Sequence, residues 1–134
     1  MQWDGSPHAG FTGGEPWIGA NGNFREINVA AARADEGSVL HHYRRLVALR
    51  KQHRVIVGGS YHPLLAEHPQ VFAYERRLGE AGLLVVANLS GEPAEAGWSG
   101  AEEVSDWVVR SHPAREAVGP VLRLAPWESF AGLV

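Results

Sequence analysis

Between Ser38 and Arg54 the large side chains of SVLHHYRRLVALRKQHR recur three and four positions apart, at Val39, Leu40, Tyr43, Leu46 and Val47. That spacing lines up one face of an α-helix, and the segment from about Ser38 to His53 is predicted to be one. Ser38 stands where an N-cap belongs. Asp35 and Glu36 lie at the positive end of the dipole, and Arg50, Lys51 and Arg54 at the negative end. Beyond Gly58 the period shortens. Runs at 60–65, 71–78, 83–89, 104–110, 121–124 and 128–134, with a weaker one around Ala94–Trp98, are short and rich in β-formers. Glu-His-Pro-Gln and Gly-Glu-Ala-Gly separate the first three, as turns do. Leu83–Ala87 is apolar on both faces, the pattern of a central strand. The series predicts a mainly β fold, an antiparallel β-sandwich behind one amphipathic helix.

Residues 1–37 carry neither period. They hold seven glycines, two prolines and two tryptophans. Structureless loops longer than about 12–15 residues are uncommon in compact domains. Yet Trp3, Phe11, Trp17, Ile18, Phe24 and Ile27 are not the residues of a disordered tail. They need something to pack on, so the loop reads as part of a larger structure. The helix makes the same demand. Its five large apolar residues are each worth roughly 1.5–3 kcal/mol when buried, so a wet stripe forfeits on the order of 10 kcal/mol, comparable to a domain's net stability. The cover must be the sandwich, a second copy or a further domain. Self-association through Val39, Leu40, Tyr43, Leu46 and Val47 is therefore one expectation.

Composition narrows the classes. The 134 residues suit one ordinary domain, 45% apolar and 20% charged. A net charge of −3 gives no pull toward nucleic acid or an anionic membrane. Arg44, Arg45, Arg50, Lys51 and Arg54 make the helix basic, but no basic-aromatic platform on the strands accompanies them, so a solvated face is the better reading. With no cysteine, disulfides and thiolate sites are excluded. No apolar run approaches the roughly 18 residues that span a bilayer. The N-terminus lacks a signal-peptide pattern, and a cytoplasmic location is expected.

Candidate chemistry is sparse. There are three aspartates, Asp4, Asp35 and Asp106, and twelve glutamates, most of them in turns or at strand edges. Only Asp4, in the unusual loop, stands apart from solvated surface. His41 and His42 point about 100° apart on a helix and share an ion poorly, and no His-x-x-x-His spacing occurs, so no metal is expected. Asn88-Leu89-Ser90 matches a glycosylation sequon at a strand end and reads as chance. No phosphate-binding glycine motif and no Gly-x-Ser-x-Gly elbow is present, and no cofactor is implied. The residues alone present no active site.

The order of motifs says more. Met1-Gln2-Trp3-Asp4, then His8-Ala9-Gly10-Phe11-Thr12, Pro16-Trp17-Ile18 and Glu26-Ile27-Asn28-Val29 resemble the α-glucosidase and oligo-1,6-glucosidase branch of the α-amylase-type glycoside hydrolases. Ser38–Arg50 matches that family's last barrel helix. Gln70-Val71-Phe72-Ala73-Tyr74, Leu84–Ser90 and Leu124-Ala125-Pro126-Trp127-Glu128 are similar to its C-terminal sandwich. The likeness covers essentially the whole chain and is weakest over 91–120.

The resemblance implies a barrel tail over 1–57, being the loop after strand eight and the last helix of a (β/α)8 barrel, and a C-terminal antiparallel β-sandwich over 58–134. It implies a retaining parent enzyme acting on α-linked gluco-oligosaccharides. The family's catalytic aspartates and glutamate sit on barrel strands upstream of the matching segment. No catalytic residue therefore maps onto this chain, which is expected to be inactive and structural by itself. Gln2, Trp3 and Asp4 would lie nearest the catalytic face and are the candidates for sugar contact, an architectural role being equally open. Met1 is the sole methionine and coincides with the motif's own; a start assigned at that methionine, a deliberately cut chain and a degenerate gene remnant all give this beginning. Beside this reading stand a separate interaction protein that uses the bare helix stripe and two further alternatives. One is a carbohydrate-binding module using Trp98, Trp107 or Trp127. The other is a parent of the trehalose-forming maltose isomerase type, which shares the Met-Gln-Trp element.

Overall fold

A computed structural model describes residues 1–97, 104–112 and 120–134. The chain divides into two compact units, Met1–Ala48 and Leu49–Val134.

The first unit is held mainly by hydrogen bonds in loops. Its one α-helix before the predicted long one is α1 (Val29–Ala34), which the periodicity did not anticipate. Six residues of Val-Ala-Ala-Ala-Arg-Ala contain no spaced large apolar groups to reveal a face. Alanine's propensity and the cap form the helix instead. Asn28 is its N-cap, its side-chain oxygen accepting from Ala31 N at 2.8 Å. The two donors left over at that end go to the chain start, Val29 N to Gln2 O and Ala30 N to Trp3 O, both 2.9 Å.

The predicted long helix is α2 (Val39–Gln52), which begins in the first unit and ends in the second. Ser38 caps it as expected, accepting from His41 N through its hydroxyl at 3.5 Å and from His42 N through its carbonyl at 3.0 Å. None of its residues is buried, and Val39 and Tyr43 are 83% and 65% exposed.

In the second unit a further single turn, α3 (Arg54–Gly58), follows directly, where the pattern predicted only the end of the helix. Its β-branched residues are poor helix formers, and tertiary burial of Val55 decides the matter. The strands are β1 (Ser60–Leu64), β2 (Val71–Leu78), β3 (Ala81–Asn88), β4 (Ala94–Gly97), β5 (Asp106–Arg110), β6 (Val121–Leu124) and β7 (Ser129–Leu133). All pair antiparallel, in one sheet ordered β1-β2-β3-β7-β5 and a second of β4-β6. The expected strands are thus present within a residue or two at most ends, although Trp98 lies outside the described residues.

β3 is central, as its two apolar faces required. Leu84 and Val86 point to one side, where they join Val71, Ala73 and Phe130 and the second sheet's Ala94, Ala96, Leu122 and Leu124 in one buried cluster. Small faces large across the second sheet, with Ala94 opposite Leu124 and Ala96 opposite Leu122. Leu83 points to the other side and is buried with Ala131 beneath Val55 of α3. The β2–β3 hairpin closes through Gly79 and Glu80, Gly79 taking the positive φ of +60° that a two-residue turn needs.

Leu122 is fully buried, so Leu122→Ala is expected to lower unfolding free energy by about 2–5 kcal/mol. Val121→Ala, on the exposed side of the same strand, should change it by less than about 0.5 kcal/mol. Equal losses in urea unfolding would show that the two sheets do not share a core.

Candidate functional site

The opening loop contains the residues singled out for sugar contact, and the structure ties two of their three side chains into the loop itself. Gln2 donates its amide to Ile27 O at 2.7 Å and to Asn23 Oδ1 at 3.2 Å. Asp4 accepts from both the backbone N–H (2.9 Å) and the hydroxyl of Ser6. These hydrogen bonds, the hydroxyl's foremost, hold the carboxyl of Asp4 below its ordinary value of 3.8. Trp3 contributes its backbone, N–H to Ala9 O at 2.8 Å, while its ring is 48% exposed.

Beneath Asp4 the chain makes a left-handed turn. His8, Ala9 and Gly10 have φ of +57°, +58° and +64° in succession. For the two non-glycine residues that conformation costs roughly 1–2 kcal/mol each, and such strain persists only where the surroundings fix it. Here Ala9 is buried and its carbonyl accepts from both Trp3 N and Asp4 N. Gly10 admits no side chain: a Cβ would lie 2.6 Å from the Asp4 carboxylate oxygens. The His-Ala-Gly stretch is thus a clamp on the Gln2–Asp4 strand. A cavity of about 320 Å³ lies against it, with Gln2, His8, Phe11, Trp17 and Asn21 among its lining residues. Neither the Asn28 cap nor the His8–Gly10 turn shows in the spacing of apolar residues. The glycine two residues past His8 and the asparagine before an alanine run were the available signals.

The remaining candidates separate. Trp107 is half-buried, edge-on to Phe130 at 5.3 Å with the Arg110 guanidinium 5.7 Å over its ring. Trp127 is 64% exposed, has a φ of +58° and rests beside Gly91. The asparagine of the apparent sequon, Asn88, is 2% exposed, with its amide donated to Glu92 O and Ala125 O and its oxygen accepting from Ser90. That side chain is a structural knot. His41 binds Arg33 O through Nε2. Among the described residues no three His, Asp or Glu side chains gather as metal ligands, and no helix is long and apolar enough to cross a membrane.

The comparisons with known proteins extend this geometry. The family described as Alpha amylase, catalytic domain, matches residues 1–59. The chain is 51% identical over 90 residues to an oligo-1,6-glucosidase of Parageobacillus thermoglucosidasius, covering 67% of this chain and 16% of that protein. It is 40% identical over 131 residues to the trehalose-6-phosphate hydrolase of Escherichia coli K12, covering 96% of this chain and 23% of that protein. Among solved structures, a trehalulose synthase from Pseudomonas mesoacidophila MX-45 superposes with a TM-score of 0.88 at 34% identity, over 98% of this chain and 24% of the other. The trehalose-6-phosphate hydrolase of Bacillus licheniformis does so with 0.87 at 28% identity, over 99% and 25%. This chain therefore spans about a quarter or less of the length of these relatives. It belongs to the α-amylase-type glycoside hydrolases. Within them it is a stretch of the α-glucosidase and oligo-1,6-glucosidase type.

The Asp4 shift sets a sign. A carboxylate whose folded value is lowered adds stability above its ordinary 3.8, and that stability is lost as pH falls through the lower folded value. Amide protection in residues 3–11, measured relative to the intrinsic exchange rate at each pH, is expected to fall on acidification through that range, and Asp4→Asn to remove that dependence. An unchanged profile in Asp4→Asn would show that the turn does not rest on this carboxylate.

Proposed function

We propose that this chain is the terminal helix and C-terminal β-sandwich of an α-glucosidase-type retaining glycosidase that acts on α-linked gluco-oligosaccharides. The chain itself is non-catalytic. Its task is to cap and stabilise the catalytic barrel. The observation that carries this reading is the match along nearly the whole chain, 96% at 40% identity, to less than a quarter of a hydrolase.

Other features support it. The two sheets share one buried cluster, which favours a sandwich. The catalytic-domain match over residues 1–59 favours a boundary near 57/58 between barrel tail and sandwich. In the first unit Trp17, Ile18, Ile27, Val39 and Tyr43 are all more than half exposed, as suits surfaces that rest on a larger body. Gln2 and Asp4 serve the loop's architecture, and the Trp3 ring is the group left free to meet a sugar. A cytoplasmic location completes the proposal. Of the tryptophans named for the rival binding-module reading, Trp127 is exposed and Trp107 half-buried, and Trp98 lies outside the described residues. A synthase and hydrolases match with similar scores, so this stretch does not itself distinguish those parent reactions.

The test is a chimera in which this chain replaces the matching stretch of the Parageobacillus oligo-1,6-glucosidase. The chimera is expected to hydrolyse isomaltose-type substrates and the isolated chain to leave them intact. A folded chimera without activity, or turnover by the chain alone, would overturn the reading.

Self-association has its own test. If the stripe pairs with a second copy, sedimentation will show a concentration-dependent dimer that Val39→Glu with Tyr43→Glu abolishes. A monomer at every concentration would exclude that use of the face.

A further inference from the structure

We infer that Asn21 is a site of spontaneous covalent modification, its side-chain amide converting to a carboxylate through a succinimide. The inference stands on the loop's own geometry and is independent of the enzymatic reading. The backbone nitrogen of Gly22 attacks Cγ of Asn21. A new N–C bond forms, the bond from Cγ to Nδ2 breaks, and the proton of the Gly22 N–H leaves with the amide as ammonia. Water then opens the five-membered imide at one of its two carbonyls. One opening gives aspartate. The other gives isoaspartate, with the main chain rerouted through the side-chain carbon. Water is the sole co-reactant.

The step needs a free nitrogen on the following residue, a side-chain amide free to turn, and no bulk between them. The chain has four asparagines, Asn21, Asn23, Asn28 and Asn88, and the structure separates them sharply. After Asn23, the nitrogen of Phe24 is donated to Asn21 O at 3.1 Å, and the Asn23 oxygen is held by Gln2. After Asn28, the nitrogen of Val29 is donated to Gln2 O, and the side chain is the cap of α1. After Asn88, the nitrogen of Leu89 is donated to Gln70 O at 2.9 Å, and the side chain is buried with both ends bonded. Asn21 differs on every point. It is exposed, and among the described residues neither its amide nor the nitrogen of Gly22 has a hydrogen-bond partner. Gly22 presents no side chain and has open space where one would be.

The product matters locally. Asn21 lines the cavity shared with Gln2 and His8, and its carbonyl anchors the turn that presents Asn23 to Gln2. Conversion adds a negative charge to that wall, and isoaspartate lengthens the turn by one backbone carbon.

The experiment incubates the full 134-residue chain at mildly alkaline pH and follows peptide masses, with an isoaspartyl methyltransferase assay as the second readout. Asn21 is expected to convert first, at a rate within about tenfold of a peptide spanning 1–25, since no bond must break before attack. Gly22→Ala fits the open space without disturbing the fold, and is expected to slow conversion on the order of tenfold, equivalent to about 1.36 kcal/mol in barrier. Asn21 persisting in the folded chain while the peptide converts would overturn the proposal. So would conversion of Asn28 or Asn88 at the same rate, or a Gly22→Ala chain as labile as the parent.

Discussion

A strand that is apolar on both faces has to be covered on both. β3 carries Leu83 toward one side of its sheet and Leu84 and Val86 toward the other, all buried. A five-stranded sheet alone leaves both of those sides wet. The second sheet, β4-β6, closes over Leu84 and Val86, and the single turn of α3 closes over Leu83. The buried Asn88 knot follows from the same arrangement. At the end of the central strand the loops 88–92 and 125–128 meet, and a fully bonded amide joins them without an unpaired polar group.

The first unit obeys a different economy. Ala9 is its one buried hydrophobic residue among those described, so its order comes from directional bonds and not from a core. Gln2 ties residue 2 to 23 and 27, the carbonyls of Gln2 and Trp3 cap α1, and the Asp4 carboxylate lies over Gly10. A segment built this way holds its backbone conformation while leaving Trp17, Ile18, Val39 and Tyr43 in water. The contrast between a bonded backbone and an unburied apolar surface links the loop's geometry to the proposed role as part of a larger catalytic body. The same network leaves one asparagine outside it, which is why Asn21 alone is open to chemistry.

The family relation and the physical reading support one another at different points. The catalytic-domain family matches residues 1–59, which hold the loop and α2. The structure shows what several of those residues do here: Gly10 because no Cβ fits, Asn28 because α1 needs a cap, Gln2 because it braces the chain against Ile27. None of these roles is catalytic. The chain spans about a quarter or less of the length of its relatives, so the activity is proposed for the whole enzyme.

Much of this was legible in the sequence. The 3.5-residue recurrence from Val39 to Val47 fixed α2, alternation fixed the strands, and the unbroken run Leu83–Ala87 identified the centre of the sheet, because periods of burial are written directly in side-chain type. The family likeness was legible for a similar reason, as motifs in a fixed order. Other features, α1 among them, were not. α3 forms from residues with poor helical propensity because Val55 finds a pocket beneath it. The pairing of β3 with β7 joins strands some forty residues apart in sequence. The left-handed turn at His8–Gly10 exists because Asp4, Trp3 and Ala9 converge through space. Local pattern determined which segments are helix or strand, since propensity and period act over a few residues. Tertiary structure alone decided which faces met, which polar groups were bonded and which amide was left free, since those depend on partners that only folding brings together.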